Sequence, residues 1–527
     1  MGIYLNPGNK GFQEIIQAEY VDKTGLIAVI NKSVETMGKL ICISRPRRFG
    51  KSYAAKMLCA YYDCSCDSRG LFDDKEIAGT EGYLTHLNRY HVINLDITGF
   101  LSEAVRLDIP LADVPNRIAD AVYRELVESY PELAGKSLTD AMITCVEKTG
   151  REFVFILDEW DALIREAKDD ETAQKKYLNL LRGWFKNSSF TPKVVAAAYM
   201  TGILPIKKDG SQSAISDFRE YTILDPGKFV EFTGFTEGEV RSLCGKYGMA
   251  FEEVRKWYDG YDFPGYGAVY NPYSVMCAMQ NQKCRSYWRK TSAAESLMAY
   301  INMDFEGMRE LIARLIAGEE VEVRTDRFEN DFATFKSRDD VLTLMIHLGY
   351  LTWNEEDETA RIPNEEVRTE FEKILEGTGV SPKWMELIGR SRKLLEDTLA
   401  GDEEAVVRAI EEIRDTQYAP AYYNNEQALR YVIKFAYIAA VDQYLRVEEL
   451  PSGKGIADVV YLPKRKSRLP VLVVELKWNQ SAEGAIRQIR DRNYPAVWKD
   501  YGGEVVLVGV NYDAKTKEHS CVIERIL

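Results

Sequence analysis

The apolar run Leu40-Ile41-Cys42-Ile43 leads into Ser44-Arg45-Pro46-Arg47-Arg48-Phe49-Gly50-Lys51-Ser52, and the chain continues as Tyr53-Ala54-Ala55-Lys56-Met57-Leu58. The first run reads as a buried strand and the last as a helix. Strand, tight loop, Gly-Lys-Ser and helix is the layout of a phosphate-binding loop. The first N–H groups of a helix lack partners and carry partial positive charge, so phosphate oxygens are stabilised there. Gly50 lets the backbone come close, Lys51 reaches the outer phosphates, and the Ser52 hydroxyl suits Mg²⁺. One position departs from the usual spacing: the first glycine, five residues before Gly50, is Arg45. A basic surface turn is the alternative reading of the same residues.

A second stretch bears on that choice. Glu152-Phe153-Val154-Phe155-Ile156-Leu157-Asp158-Glu159-Trp160-Asp161 places two acids after five apolar residues. A central parallel strand would deliver Asp158 beside the loop to hold Mg²⁺, with Glu159 polarising an attacking water. Further strands are expected at Tyr90–Asp96 and Lys193–Met200, with helical sequence from Leu111 to Val146. That order predicts a parallel α/β sheet with crossover helices. Thr201, ending the Lys193 strand, is a candidate γ-phosphate sensor, or a cap for the next turn. Arg219 is either a transition-state arginine or part of a surface ion pair. Near the start, Asp22 in Tyr20-Val21-Asp22-Lys23-Thr24 opens a helix beside the loop, as a cap or close to the base.

The totals narrow the class. The 527 residues allow two to four domains. A net charge of −14 argues against indiscriminate coating of nucleic acid but not against a locally basic site. The nine cysteines are scattered and odd in number, and there are only four histidines. Reduced thiols in a cytoplasmic protein are expected, and a histidine-based metal site is not. The sequence shows no signal-peptide pattern and no apolar stretch long enough to span a membrane.

Beyond residue 232 the composition shifts. Thr236 and Glu239 form a Thr-x-x-Glu capping box. Trp257-Tyr258-Asp259-Gly260-Tyr261-Asp262-Phe263 and Tyr270-Asn271-Pro272-Tyr273-Ser274 predict a packed aromatic turn or, alternatively, a stacking platform for bases. From Asp339 to Pro363 the pattern is helix, strand, acidic turn and return strand, similar to a winged helix. The acidic turn disfavours DNA binding through that wing. Amphipathic helices follow from Glu370 to Arg414.

A second chemical constellation lies near the C-terminus. One strand is expected through Glu449–Tyr461, another at Pro470-Val471-Leu472-Val473-Val474-Glu475-Leu476-Lys477, then a helix around Ala485–Ile489 and a closing strand at Val505–Val510. Glu475 and Lys477 share a strand face, and Asp458 meets them if the two strands pair. Two carboxylates and a lysine suit metal-dependent phosphodiester hydrolysis, the carboxylates holding Mg²⁺ or Mn²⁺. A hairpin with solvated charges is the alternative, although charges inside an apolar strand call for a reason. Between Pro451 and Asp500 there are ten Lys/Arg against five Asp/Glu, a local charge of +5. The Lys464-Arg465-Lys466-Ser467-Arg468 loop is either a phosphate contact or a solvated turn.

Together these motifs resemble the predicted ATPases that join an AAA-ATPase-like N-terminal domain to a C-terminal PD-(D/E)XK nuclease-superfamily domain. The resemblance spans nearly the whole chain. It includes Arg-Pro-Arg-Arg-Phe-Gly-Lys-Ser, the family's own form of the loop, which accounts for Arg45. It implies a P-loop NTPase sheet in 1–232, a helical lid and winged-helix-like region in 233–380, and a helical connector with a restriction-endonuclease-like α/β domain in 381–527. It implies a nucleotide site of Arg48, Phe49, Gly50, Lys51, Ser52, Tyr53, Asp158 and Thr201, with Mg²⁺ on Ser52 and Asp158 and Glu159 as catalytic base. It implies a nuclease centre of Asp458, Glu475 and Lys477, with its metal on Asp458 and Glu475, supported by Glu449 and Gln488. Ile456 stands where that family's Gly-x-Gly-Arg-x-Asp run has a basic residue. The implied partners are ATP and DNA, and a homo-oligomer is compatible with the pattern. The alternative is a regulatory or mobile-element-associated ATPase whose C-terminal domain binds nucleic acid without efficient cleavage.

Overall fold

The computed structural model describes residues 2–167, 170–206, 215–263, 266–288, 308–316, 318–326, 328, 337–377, 382–417, 426–437, 440, 444–452, 455–463, 469–491 and 504–526. They fall into two compact units, Met1–Leu297 with Glu322–Thr369, and Met298–Val321 with Glu370–Leu527. The segment 233–380 is thus shared between them.

In the first unit β1 (Leu40–Ser44), β2 (His91–Asp96), β3 (Phe153–Asp158), β4 (Val195–Gly202) and β5 (Arg219–Tyr221) form one parallel sheet in the order β2-β3-β4-β1-β5. Side chains alternate between its faces. Leu40, Cys42, Phe153, Phe155 and Leu157 pack toward the helices Val114–Ser129, Leu138–Thr149 and Glu171–Phe185. Ile41, Ile43, Val154 and Ile156 pack toward Lys10–Ile16, Gly25–Asn31 and Lys51–Tyr62. Burial on both faces is why these strands read as unbroken apolar runs. A register shift between Phe153 and Val154 puts the neighbours Ala196 and Ala197 of β4 on the same face. The expected strands and crossover helices are present, except that Lys193 and Val194 end the Thr191–Val194 helix and β4 begins at Val195. Asp22 does not cap the Gly25–Asn31 helix; its oxygens take the amides of Thr24 (2.9 Å) and Glu76 (2.8 Å).

The residues after β5 continue the same unit. The Thr236–Glu239 capping box is formed at the start of the Glu237–Tyr247 helix. The aromatic turn is packed: Tyr258 Oη donates to the Arg285 carbonyl (2.9 Å) and Tyr261 Oη to that of Gly349 (2.5 Å). Gly260, at φ +110°, lies so close to Pro363 that an added Cβ would stand 1.9 Å from the Pro363 carbonyl oxygen, so only glycine fits. These aromatic rings are core material. The helix–hairpin pattern expected after Asp339 is the helix Arg338–Leu348 with the antiparallel pair Thr352–Asn354 and Thr359–Arg361.

The second unit holds a five-stranded sheet in chain order, Tyr444–Ser452, Gly455–Pro463, Val471–Trp478, Val505–Asp513 and Glu518–Ile526. Only the third and fourth strands run parallel, and the Ala482–Asp491 helix crosses between them. Two expectations are corrected here. The strand expected through Glu449–Tyr461 is a hairpin turning between Ser452 and Gly455. The strand at Val505 does not close the sheet, because Glu518–Ile526 pairs beyond it. Val459, Tyr461, Leu472 and Val474 pack against the helices Glu403–Gln417 and Glu426–Ala436, whereas Val460, Leu462, Val471 and Val473 pack against Ala482–Asp491. By parity Glu475 and Lys477 lie on the Ala482–Asp491 face, and Asp458 stands where the pairing of the second and third strands ends at Val459.

Candidate functional site

Gly50 precedes the Lys51–Tyr62 helix at φ +86°, with open space where a Cβ would stand, and no side chain caps the helix. The loop turns back at Arg48, φ +71°, so two left-handed positions flanking Phe49 bring its backbone round to the helix start. Lys51 is 4% exposed. Its Nζ donates to the carbonyls of Arg45 and Pro46, each at 3.0 Å, and lies 3.6 Å from Glu159 Oε1. Ser52 and Tyr53 are exposed beside it.

Because β4 lies between β1 and β3, its end stands between the loop and the Asp158–Glu159 pair. The Thr201 hydroxyl donates to Asp158 Oδ1 and accepts the Glu159 amide at 3.4 Å. Among the described residues Asp158 forms no ion pair. Asp96, opposite it on β2, has its carboxyl pushed up by burial, with Asp158 and Glu159 adding to the effect. An acid with no cation, a further acid nearby and the exposed Ser52 hydroxyl form an oxygen donor set that fits a hard divalent ion.

Glu159 is the strained residue of the site, at φ +53° without being glycine. Burial pushes its carboxyl up, but Lys51, Arg165 and Arg47 together outweigh burial and hold it below the ordinary range. Arg165 Nη2 donates to Glu159 Oε2 at 2.7 Å, and its Nε donates to Asp161 Oδ2 at 2.9 Å. Asp161 is 1% exposed and accepts the amides of Ile203 (3.3 Å) and Leu204 (3.1 Å), which follow Thr201 in the chain. Gly202 leaves room for this contact: an added Cβ would stand 2.9 Å from Asp161 Oδ1. Sequence reading missed Asp161 and Arg165. Their i,i+4 spacing after the strand was the available signal.

The loop's basic residues divide by role. Arg45 is 1% exposed, with Nε on Thr233 Oγ1 (3.1 Å) and Nη1 on the carbonyls of Ser44 (3.0 Å) and Tyr221 (3.1 Å). Burial pushes its guanidinium down to about 10, so it stays charged at neutral pH. The residue replacing the usual glycine therefore ties the loop to β5 and Thr233. Arg48 donates to the Tyr287 carbonyl (3.0 Å) and stacks on Tyr273, and Phe49 packs edge-on against Tyr261. These side chains hold the loop to the aromatic turn, leaving only backbone for a ligand at Phe49. Arg219 lies on β5 at the register of Ile41, away from the strands' carboxyl ends.

In the second unit Asp458, Glu475 and Lys477 come together as expected. Glu475 is 1% exposed, 3.5 Å from Lys477 Nζ, and its Oε1 accepts the Gln488 side-chain amide. Its Oε2 is buried with no hydrogen-bond partner among the described residues. Burial first, and Asp458 second, push its carboxyl up to about 7 against the pull of Lys477. Asp458 accepts from Arg430 Nη2 (2.5 Å) and from the Leu476 amide (2.9 Å). Among the described residues no group of three or more His, Cys, Asp or Glu is arranged to hold a metal ion. The Glu449 side chain and the 464–468 loop lie outside the described residues. Among the described residues no helix is long and apolar enough to cross a membrane.

A parallel sheet with a Gly-Lys-Ser loop after β1 and Asp-Glu after β3 defines a P-loop nucleotide-binding architecture. Residues 7–211, which contain β1 to β4, match the family described as Predicted AAA-ATPase. A curated relative, the uncharacterized protein in the vnfD 5′ region of Azotobacter chroococcum mcd 1, is 22% identical over 521 residues, 94% of this chain and 93% of that protein. Among solved structures, the Aeropyrum pernix ORC2 protein in its ADPNP–ADP complexes matches at 12% identity and TM-score 0.30, over 71% of this chain and 99% of that one. AMPPCP-bound DnaA from Aquifex aeolicus matches at 11% identity and TM-score 0.22, over 64% and 81%. Likeness at those scores is too slight to bear on function.

Proposed function

We propose that the first unit binds and hydrolyses ATP and that this controls a PD-(D/E)XK-type, metal-dependent cleavage of DNA by the second. The observation carrying the first part is the convergence of Lys51, Asp158, Glu159 and Thr201 at the carboxyl ends of three adjacent parallel strands. The open helix start and Lys51 bind the phosphates, and the loop carbonyls that now take Lys51 are released as it turns to them. Ser52 and Asp158 are the residues to hold Mg²⁺, which when bound neutralises charge on the phosphate oxygens. Glu159 orients water and accepts its proton, and Thr201 fixes Asp158 and reports on the γ-phosphate.

Support for the second part is the juxtaposition of Asp458, Glu475 and Lys477 where the pairing of the second and third strands of that sheet ends. Asp458 and Glu475 would hold Mg²⁺ or Mn²⁺, which supplies an activated water when bound. Lys477 would stabilise charge on the scissile phosphate, with Gln488 orienting Glu475. One observation favours a second reading, an ATPase whose C-terminal domain binds DNA without efficient cleavage: both Asp458 oxygens are already engaged, one by Arg430.

The deciding experiment incubates the protein with plasmid DNA and Mn²⁺, with and without ATP, beside the Glu475→Ala variant. Cleavage lost in the variant is expected. DNA binding with no cleavage by the unmutated chain under any nucleotide condition would establish the second reading instead.

A further inference from the structure

Glu159 is paired with two cations, Lys51 and Arg165, that differ in what else holds them. Lys51 Nζ stands 3.6 Å from Oε1, and its other bonds go to the carbonyls of Arg45 and Pro46. A phosphate bound at the helix start competes with all three contacts, so Lys51 leaves Glu159 when nucleotide arrives. Arg165 has no such competitor. Its Nη2 lies 2.7 Å from Oε2, its Nε is fixed by Asp161 at 2.9 Å, and Asp161 is seated on the amides of Ile203 and Leu204. Both Arg165 and Asp161 are buried. The contacts run from the end of β4, which carries Thr201, through Asp161 and Arg165 to the far oxygen of Glu159.

We propose that Arg165 is a positioning residue for hydrolysis: it keeps Oε2 of Glu159 when Lys51 turns to phosphate, leaving Oε1 directed at the attacking water. The inference rests on the ATPase reading. In the step concerned the water oxygen bonds to the γ-phosphorus, the bond to the bridging oxygen breaks with its electron pair leaving on ADP, and the water proton passes to Glu159 Oε1. Arg165 transfers nothing. It fixes the direction of Oε1, which at φ +53° depends on side-chain anchoring more than a regular strand residue would. Because both oxygens of Asp161 face β4 and Arg165, the hold on Glu159 also follows any movement of the strand that carries Thr201.

The test measures kcat and KM for ATP against pH in the full chain, for the unmutated protein, Arg165→Lys and Arg165→Ala. Lysine can keep a cation on Asp161 but cannot span both acids as the guanidinium does. Expected are a fall in kcat of about 10- to 100-fold in both variants, KM within about threefold, and an acid limb of kcat moved to higher pH. The limb moves because a cation that favours the Glu159 anion has been withdrawn. Arg165→Ala leaves Asp161 buried without its ion pair and is used only if it folds; Arg165→Lys decides otherwise. Unchanged kcat and an unmoved limb in Arg165→Lys would overturn the role of Arg165 alone. Absence of ATP turnover in the unmutated chain would overturn the hydrolysis reading, and the inference with it.

Discussion

Glu159 and Glu475 occupy comparable places, each beside a lysine and attached to a central strand of a five-stranded sheet, yet their charge states are pushed in opposite directions. Glu159 has Lys51 at 3.6 Å and Arg165 at 2.7 Å, and the cations outweigh burial. Glu475 has Lys477 at 3.5 Å but also Asp458, whose guanidinium partner Arg430 is engaged elsewhere than on Glu475. Burial wins there and its carboxyl rises to about 7. A lysine at similar distance therefore does not set a carboxylate's state. At Glu475 burial decides, with Asp458 adding to it, whereas at Glu159 Arg165 and Arg47 join Lys51 and outweigh burial. In the proposed hydrolysis the first arrangement would keep an anion ready to take a proton once Lys51 leaves. The second is short of positive charge, as a site that receives a divalent cation would be.

Breaking the first arrangement is expected to have the largest effect. Glu159→Gln should slow ATP turnover about a thousandfold while nucleotide affinity is retained; normal steady-state turnover would remove Glu159 as base. Lys51→Ala should weaken ATP binding about a hundredfold by calorimetry, and unchanged affinity would detach the loop from phosphate. The second arrangement is sharpened by pH. A folded carboxyl at about 7 keeps a proton that the unfolded chain loses near 4.5, so its contribution to stability is present below about 4.5 and is lost as pH rises to about 7. Glu475→Gln, neutral throughout, should remove that slope and raise stability at pH 8 by at most about 3 kcal/mol, read with chelator present from hydrogen-exchange protection of the Val471–Trp478 strand. A pH-independent difference would show that Glu475 is ionised in the fold. The smallest effect is expected from Gly202→Ala. Its Cβ presses on Trp160 and Asp161 and should cost about 1–2 kcal/mol, with a slower turnover that tracks Arg165→Lys.

The apolar runs made the strands legible because each is buried on both faces, and the Gly-Lys-Ser and Asp-Glu motifs marked which strand ends carry chemistry. The C-terminal trio was equally legible, since Glu475 and Lys477 interrupt a run that otherwise reads Val-Val-Leu. The hairpin break at Ser452–Gly455 had a signal in Pro451-Ser452-Gly453-Lys454-Gly455, a turn composition between two strand-like stretches. The Glu518–Ile526 strand was hidden because, as an outermost strand, it carries only the short apolar run Cys521-Val522-Ile523 among polar residues.

By itself the sequence determined the buried central strands, the phosphate loop, and which acids end the strands, because local periodicity and backbone chemistry act over a few residues. The tertiary structure decided what each charge does. Arg45 became a buried strut and Arg48 a brace against Tyr273, whereas Arg165 became the second hand on Glu159. The three are equally basic as letters. Their roles follow from burial and from partners up to 239 positions away, as between Arg48 and Tyr287, and only the folded chain brings such partners within a hydrogen bond's length.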